Sequence, residues 1–176
     1  MSTDEKIKLT QCFSCKALVP DIQGPVHKYM DSAPGCWKLY GDILSKEYSP
    51  DFYNQDIHRI TVDTFAVQHP GKPERKAIQS VNLHLMSLYC VYEKKLSGKQ
   101  ATEILKSAVE NKNIVDKFVW LEPPEFENTK NVADVLKATN REEHERLVRE
   151  WGNSVWRAWS DKHIQAIEPF IVELGI

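Results

Sequence analysis

Residues 76–96 read KAIQSVNLHLMSLYCVYEKKL. Within them Ile78, Val81, Leu85, Leu88 and Tyr92 recur at steps of three or four, the spacing that puts apolar side chains on one stripe of an α-helix. This is the longest apolar helix the sequence predicts, and it ends at Ser97-Gly98. Ser97 can cap the next helix, with Gln100 three residues on to close a capping box. Ala101, Ile104, Leu105, Ala108 and Val109 then give that helix an inner face.

Upstream the same period continues. Trp37, Leu39, Tyr40, Ile43, Leu44 and Tyr48 predict a helix from Cys36 that stops at Ser49-Pro50. Residues 56–69 form another, with Asp56 as its expected N-cap and Pro70-Gly71-Lys72-Pro73 as its end. Downstream, residues 111–130 are irregular and read as a loop with a short extended piece. Asn131 caps a short helix over 132–137. Asn140 opens the last helix, whose first turn is acidic (Glu142, Glu143, Glu145), as the helix dipole favours. It runs through Trp151, Val155, Trp156 and Trp159, with a bend near Ser160, to about Leu174. The three tryptophans are expected to pack this helix on the others. The fold class is therefore mainly α, a bundle of four or five principal helices. The alternation of strand and helix that a parallel sheet needs is missing.

The 176 residues fit one domain, read as a zinc-knuckle segment over 1–36 and a helical bundle over 37–176. Hydrophobic residues make up 41% and charged residues 27%, enough apolar material for a core. The formal charge is −2 and no basic run exceeds three residues, so nucleic acid is not an expected partner. No stretch is apolar enough to span a membrane, and MSTDEKIKLT lacks the apolar centre of a signal peptide. A cytoplasmic location is expected. In that reducing setting the four cysteines are thiols or metal ligands in preference to disulfides.

Three of the four cysteines fall in the first 36 residues. Cys12-Phe13-Ser14-Cys15 has the two-residue gap that points two thiolates at one tetrahedral ion. His27 and Cys36 lie in a stretch rich in proline and glycine that can fold back over this pair. The expected ligand set for one structural Zn²⁺ is Cys12, Cys15, His27 and Cys36, a closed site with no position for substrate. His27 is the least secure member, since an inward histidine such as His84 could replace it. A redox Cys-x2-Cys pair is disfavoured, because that motif opens a helix after a strand and no strand is read before Cys12. Cys90 is read as a core thiol.

The histidines carry the second reading. At about 100° per residue, His58, Val62, Phe65 and His69 share one helix face. His84 flanks the 76–96 stripe, and His163 sits among Trp156, Trp159, Ala166, Ile167 and Phe170. His58, Asp63, His69, His84 and His163 are therefore candidate catalytic residues, as ligands to a catalytic metal or as a general base oriented by Asp63. The alternative is four core histidines bonded to backbone carbonyls or to Gln68 or Gln79. His144 lies in an acidic stretch read as exposed and is assigned no role. No phosphate loop, nucleophile elbow or paired-carboxylate motif occurs. A small-molecule ligand, if there is one, belongs in the bundle core.

Several blocks resemble the signature of an uncharacterised bacterial family of unknown function. They are His27-x-Tyr29-Met30, Ser32-x-Pro34-Gly35-Cys36-Trp37-x2-Tyr40-Gly41, and His58-Arg59-x-Thr61-Val62-Asp63-x2-Ala66-Val67-Gln68-His69-Pro70-Gly71. Ala77-Ile78-Gln79-Ser80-Val81-x2-His84-Leu85 and Trp151-x3-Val155-Trp156-x-Ala158-Trp159-x3-His163 complete the set. That family opens with a Cys-x2-Cys pair, matched by Cys12 and Cys15. The resemblance implies that the inward histidines and the Gln68-His69-Pro70-Gly71 turn belong to a common plan. It implies no activity. The expected function is a zinc-binding cytoplasmic helical protein whose zinc is structural. The alternative is a metal- or histidine-dependent hydrolase or transferase using His58, Asp63, His69 and His84.

Overall fold

The computed structural model describes residues 8–176; residues 1–7, which make up most of the N-terminal stretch expected not to be a signal peptide, lie outside the described residues. Two short strands, β1 (Leu9–Gln11) and β2 (Leu18–Pro20), form an antiparallel hairpin with Thr10 opposite Val19. Seven helices follow among the described residues: α1 (Pro34–Glu47), α2 (Gln55–Gln68), α3 (Arg75–Tyr92), α4 (Gly98–Glu110), α5 (Lys112–Val115), α6 (Val132–Val135) and α7 (Arg141–Glu173). The mainly helical class stands, with the cysteine segment packed on the helices.

The helix limits follow local chemistry. Asn54, and not Asp56, caps α2, its side chain accepting from the Asp56 and Ile57 amides. Asp56 instead accepts from the Lys99 amide and ties the start of α4 to the start of α2. Ser97 and Gln100 make the expected capping box on α4. α3 ends at Tyr92, four residues before the predicted limit, where Lys95 takes a positive φ of 57°. The 111–130 connection holds the short helix α5 in place of the expected extended piece. Asn131 and Asn140 cap α6 and α7 as predicted.

Helices α2, α3 and α7 pack on one another, α4 lies across α2 and α3, and α1 lies between the hairpin, α6 and α2. Trp151, Trp156 and Trp159 are buried along α7. Each indole N–H still finds an acceptor: Trp151 on Gln68 Oε1 (2.9 Å), Trp156 on Glu93 (2.7 Å) and Trp159 on the Val67 carbonyl (3.1 Å). The Trp151 and Trp159 bonds hold the C-terminal end of α2, next to His69.

The α2–α3–α7 crossing depends on Gly152. A Cβ there would lie 2.3 Å from Tyr92 Oη, 2.7 Å from Ile60 Cγ2 and 3.0 Å from Thr64 Oγ1. Tyr92 cannot swing away freely, since its hydroxyl donates to the Arg149 carbonyl at 2.9 Å. Gly152→Ala is therefore expected to destabilise the protein by about 1–3 kcal/mol, the usual cost of overpacking, despite alanine's better helix propensity. Thermal unfolding of the two proteins checks this; equal or higher stability in the variant would show that the crossing can open at little cost.

Candidate metal centre

The two halves of the knuckle are built by different devices. Cys12 and Cys15 sit in the loop joining β1 to β2. There the Cys12 amide donates to the Ala17 carbonyl (2.8 Å) and the Lys16 amide to the Cys12 carbonyl (3.0 Å). Lys16 closes the turn at φ 63°, a conformation that costs a side chain about 1 kcal/mol or more. Cys36 occupies the first turn of α1, two residues after Pro34, a residue pre-set for a helix start. Between them, Gly35 lets the backbone of β2 touch α1: a Cβ on it would lie 2.0 Å from the Pro20 carbonyl oxygen. That close approach carries the hairpin cysteines to Cys36.

The fourth group is His69. It follows the last residue of α2 and precedes Pro70, which turns the chain out of the helix. Gly71 completes the exit at φ 75°. The Asp31 amide donates to the His69 carbonyl at 3.3 Å, and Ser14 donates to the Asp31 carbonyl, so the exit from α2 is laced to the cysteine loop. The imidazole stacks on Phe65 at 4.0 Å between centroids, and Phe65 stacks in turn on Tyr40 at 3.9 Å.

One donor atom from each of Cys12, Cys15, Cys36 and His69 lies within 4.8 Å of the others, and all four residues are buried. Cys15 Sγ is 3.7 Å from Cys36 Sγ, and Cys36 Sγ is 3.4 Å from His69 Nε2. A tetrahedral ion with Zn–S bonds of about 2.3 Å and a Zn–N bond of about 2.05 Å would set these edges at about 3.8 and 3.6 Å. His69 Nδ1 donates to the Phe65 carbonyl at 2.8 Å, which leaves the lone pair on Nε2 facing the sulfurs. The donor set fits a metal ion.

The electrostatics point the same way. Hydrogen bonds from Cys15 and then Cys36 hold the Cys12 thiol far below its ordinary range. Those contacts push the other two up: Cys15 and Cys36 each rise chiefly through their bond to Cys12, with burial adding to it. In such a cluster one thiolate disfavours ionisation of the other two. A bound cation is what would ionise all three.

His27, the expected fourth ligand, is elsewhere. It packs edge-on against Tyr29 (4.3 Å) and beside Trp37 (5.5 Å), on the outer side of the segment. Burial, with the charge of Lys28 beside it, lowers its pKa. Neither does His84 fill the place. A strand does precede Cys12, contrary to the sequence reading, yet no helix opens at the pair: the loop returns as β2.

The remaining candidates do not converge on one centre. Asp63, fully buried on α2, binds Arg59 through both carboxylate oxygens, accepts from Ser87 and lies 2.7 Å from His84 Nδ1. Burial would raise its pKa, but the charge of Arg59 and the bonds from His84 and Arg59 outweigh it and hold it below the carboxylate range. His58 Nδ1 lies 2.8 Å from Glu47, whose other oxygen is 3.0 Å from His144 Nε2 and accepts from Thr61 at 2.5 Å. Glu47, too, is held low: burial opposes ionisation, but His144, His58 and Thr61 outweigh it. His144 is buried, contrary to expectation, because its imidazole meets Glu47 at the end of α1 and packs edge-on against Phe52. No motif marked either residue. His163 donates to the Glu122 carbonyl at 2.7 Å, near the surface and away from the rest.

No described helix is long and apolar enough to cross a membrane. Comparison with curated proteins and with solved structures gives no match. The pattern of a family of unknown function, DUF5946, matches residues 10–160, a span that holds all four converging donor residues and both carboxylate clusters. By that match the chain belongs to the DUF5946 family, and its Cys12, Cys15, Cys36 and His69 form a centre able to hold a metal ion.

Proposed function

We propose that this protein carries one structural Zn²⁺ on Cys12, Cys15, Cys36 and His69, and that the ion fastens the N-terminal segment to the helical bundle. The observation that carries the reading is the convergence of four buried donor atoms within 4.8 Å. Three sulfurs and one imidazole nitrogen are the donors zinc prefers, and four protein ligands leave no position for substrate. All four cysteines are free thiols, which suits a reducing, cytoplasmic setting.

Elemental analysis of protein purified without added zinc is expected to give about one zinc per chain. Replacement of zinc by Co²⁺ is expected to produce the intense absorption of a tetrahedral cobalt thiolate. His69→Ala should lose most of the metal, while His27→Ala should retain it. No bound zinc in the wild-type protein, together with unchanged stability on chelation, would overturn the proposal. Loss of metal in His27→Ala alone would instead place the fourth ligand where the sequence first suggested.

A further inference from the structure

Asp63 and His84 stand apart from the cysteine centre, and their surroundings differ from those of an ordinary buried ion pair. His84 lines an open cavity of about 360 Å³ between α3 and α4, together with Arg59, Leu83, Thr102, Leu105, Lys106 and Val109. The wall is apolar over most of its area, and Thr102, Lys106 and Glu110 add polar groups to those of Arg59 and His84. Asp63 lies behind them with no exposure to solvent.

The hydrogen bonds set the tautomer. His84 Nδ1 faces both Asp63 Oδ1 at 2.7 Å and Arg59 Nη2 at 3.1 Å; the carboxylate is the nearer, it can only accept, and so it assigns the proton to Nδ1. In the neutral imidazole the lone pair is then on Nε2, which makes no hydrogen bond to any described residue, on a side chain that is 19% exposed and lines the cavity. Arg59 spends Nε and Nη2 on Asp63, Nη2 also lies 3.1 Å from His84 Nδ1, and Nη1 makes no hydrogen bond to a described residue. A buried carboxylate, a histidine held by it and a spare guanidinium N–H beside a largely apolar cleft are the parts of a general-base site.

From this geometry we infer that the α3–α4 cleft hydrolyses small esters with an apolar acyl chain, with His84 as the catalytic base and Asp63 as its positioning residue. His84 Nε2 takes a proton from water as the water oxygen bonds to the ester carbonyl carbon. Arg59 Nη1 donates to the carbonyl oxygen as it gains negative charge. The bond from carbon to the alcohol oxygen then breaks, and the leaving alkoxide takes the proton back from His84. Water and ester give acid and alcohol, with no other reactant. Leu83, Leu105 and Val109 hold the acyl chain.

The test uses the full-length, metal-loaded protein and p-nitrophenyl butyrate. Saturable release of nitrophenolate is expected, and His84→Gln should lower kcat/KM by about 100-fold or more, the usual contribution of a general base. Val109 is 57% exposed, so Val109→Trp should leave the fold intact, block the cleft and raise KM severalfold. Asp63→Asn should lower kcat while KM holds, and should remove the low-field imidazole N–H resonance that His84 shows in the wild-type proton spectrum. Overturning results are hydrolysis no faster than that of free imidazole at equal concentration, a His84→Gln protein as active as wild type, or an unchanged KM in Val109→Trp. Metal content is read in parallel, so failure here is distinct from failure at the cysteine centre.

Discussion

Cys36→Ser is expected to release the bound metal and set the N-terminal segment free, while the helices behind it remain folded. Serine nearly matches cysteine in size, so the change removes a soft ligand and little packing. The consequence is large because residues 21–31 have no regular structure and none of them is buried. The segment's inward side chains are few: Cys12, Cys15, Ala17, Val19 and Ala33. Backbone ordering costs about 1–2 kcal/mol per residue, far more than those side chains can return. On the proposed function a bound ion supplies the remainder, as in small metallo-domains whose folding free energy is metal-binding free energy.

Three readouts follow for Cys36→Ser or for the chelated wild type. Metal content falls from about one per chain towards zero. Trypsin cuts after Lys16 and Lys28 at least about ten-fold faster, since local opening no longer has to break metal bonds. Thermal unfolding moves down by about 10 °C, the shift that a loss of roughly 4 kcal/mol gives in a domain of this size. Because thiols must lose protons to bind, metal retention also weakens as pH falls. A variant with full metal content and unchanged cleavage would show that the segment is held by its own contacts.

Much of this centre was legible in the residues, and its missing part has a physical reason. Cys12, Cys15 and Cys36 could be chosen because clustered thiols in a reducing setting have few other uses. The gap of two residues and the helix start at Pro34 are local features, visible at short range. The fourth ligand was a question of topology. His69 is 33 residues beyond Cys36, and no spacing rule reaches it. The hint was Pro70: a histidine at the last turn before a proline stands at a helix end, where a separate segment can fold over it. The helices were legible because their stripes are regular. Asn54 displaced Asp56 as a cap because Asp56 was needed by α4. Glu47 and His144 stayed hidden, because an acid at the end of one helix and a histidine at the start of another look solvated until the fold brings those two helix ends together.

The buried carboxylates carry the second large effect. Asp63→Ala is expected to destabilise the protein by about 3–5 kcal/mol, the usual cost of leaving one partner of a buried ion pair behind. Arg59, His84 and Ser87 would all lose their acceptor at once, and the Arg59 side chain is only 19% exposed. In thermal unfolding this is a fall of about 10 °C. Replacing both partners tests the cause. Asp63→Leu with Arg59→Leu removes the pair together, and apolar side chains of similar size are often neutral in such a site. The double variant should therefore be more stable than Asp63→Ala.

The pH dependence follows from the same bonds. Asp63 is held below the usual carboxylate range in the folded protein, so its contribution is present above the unfolded value of about 3.9 and is lost as pH falls through the folded value. Glu47 acts in the same direction through His144 and His58, so the double variant keeps part of the acid limb. Stability measured by denaturant at neutral and acidic pH should show a smaller acid loss in the double variant than in wild type. Equal acid loss in both would assign the limb to Glu47, and a single variant within about 1 kcal/mol of wild type would mean that solvent reaches Arg59 and compensates it.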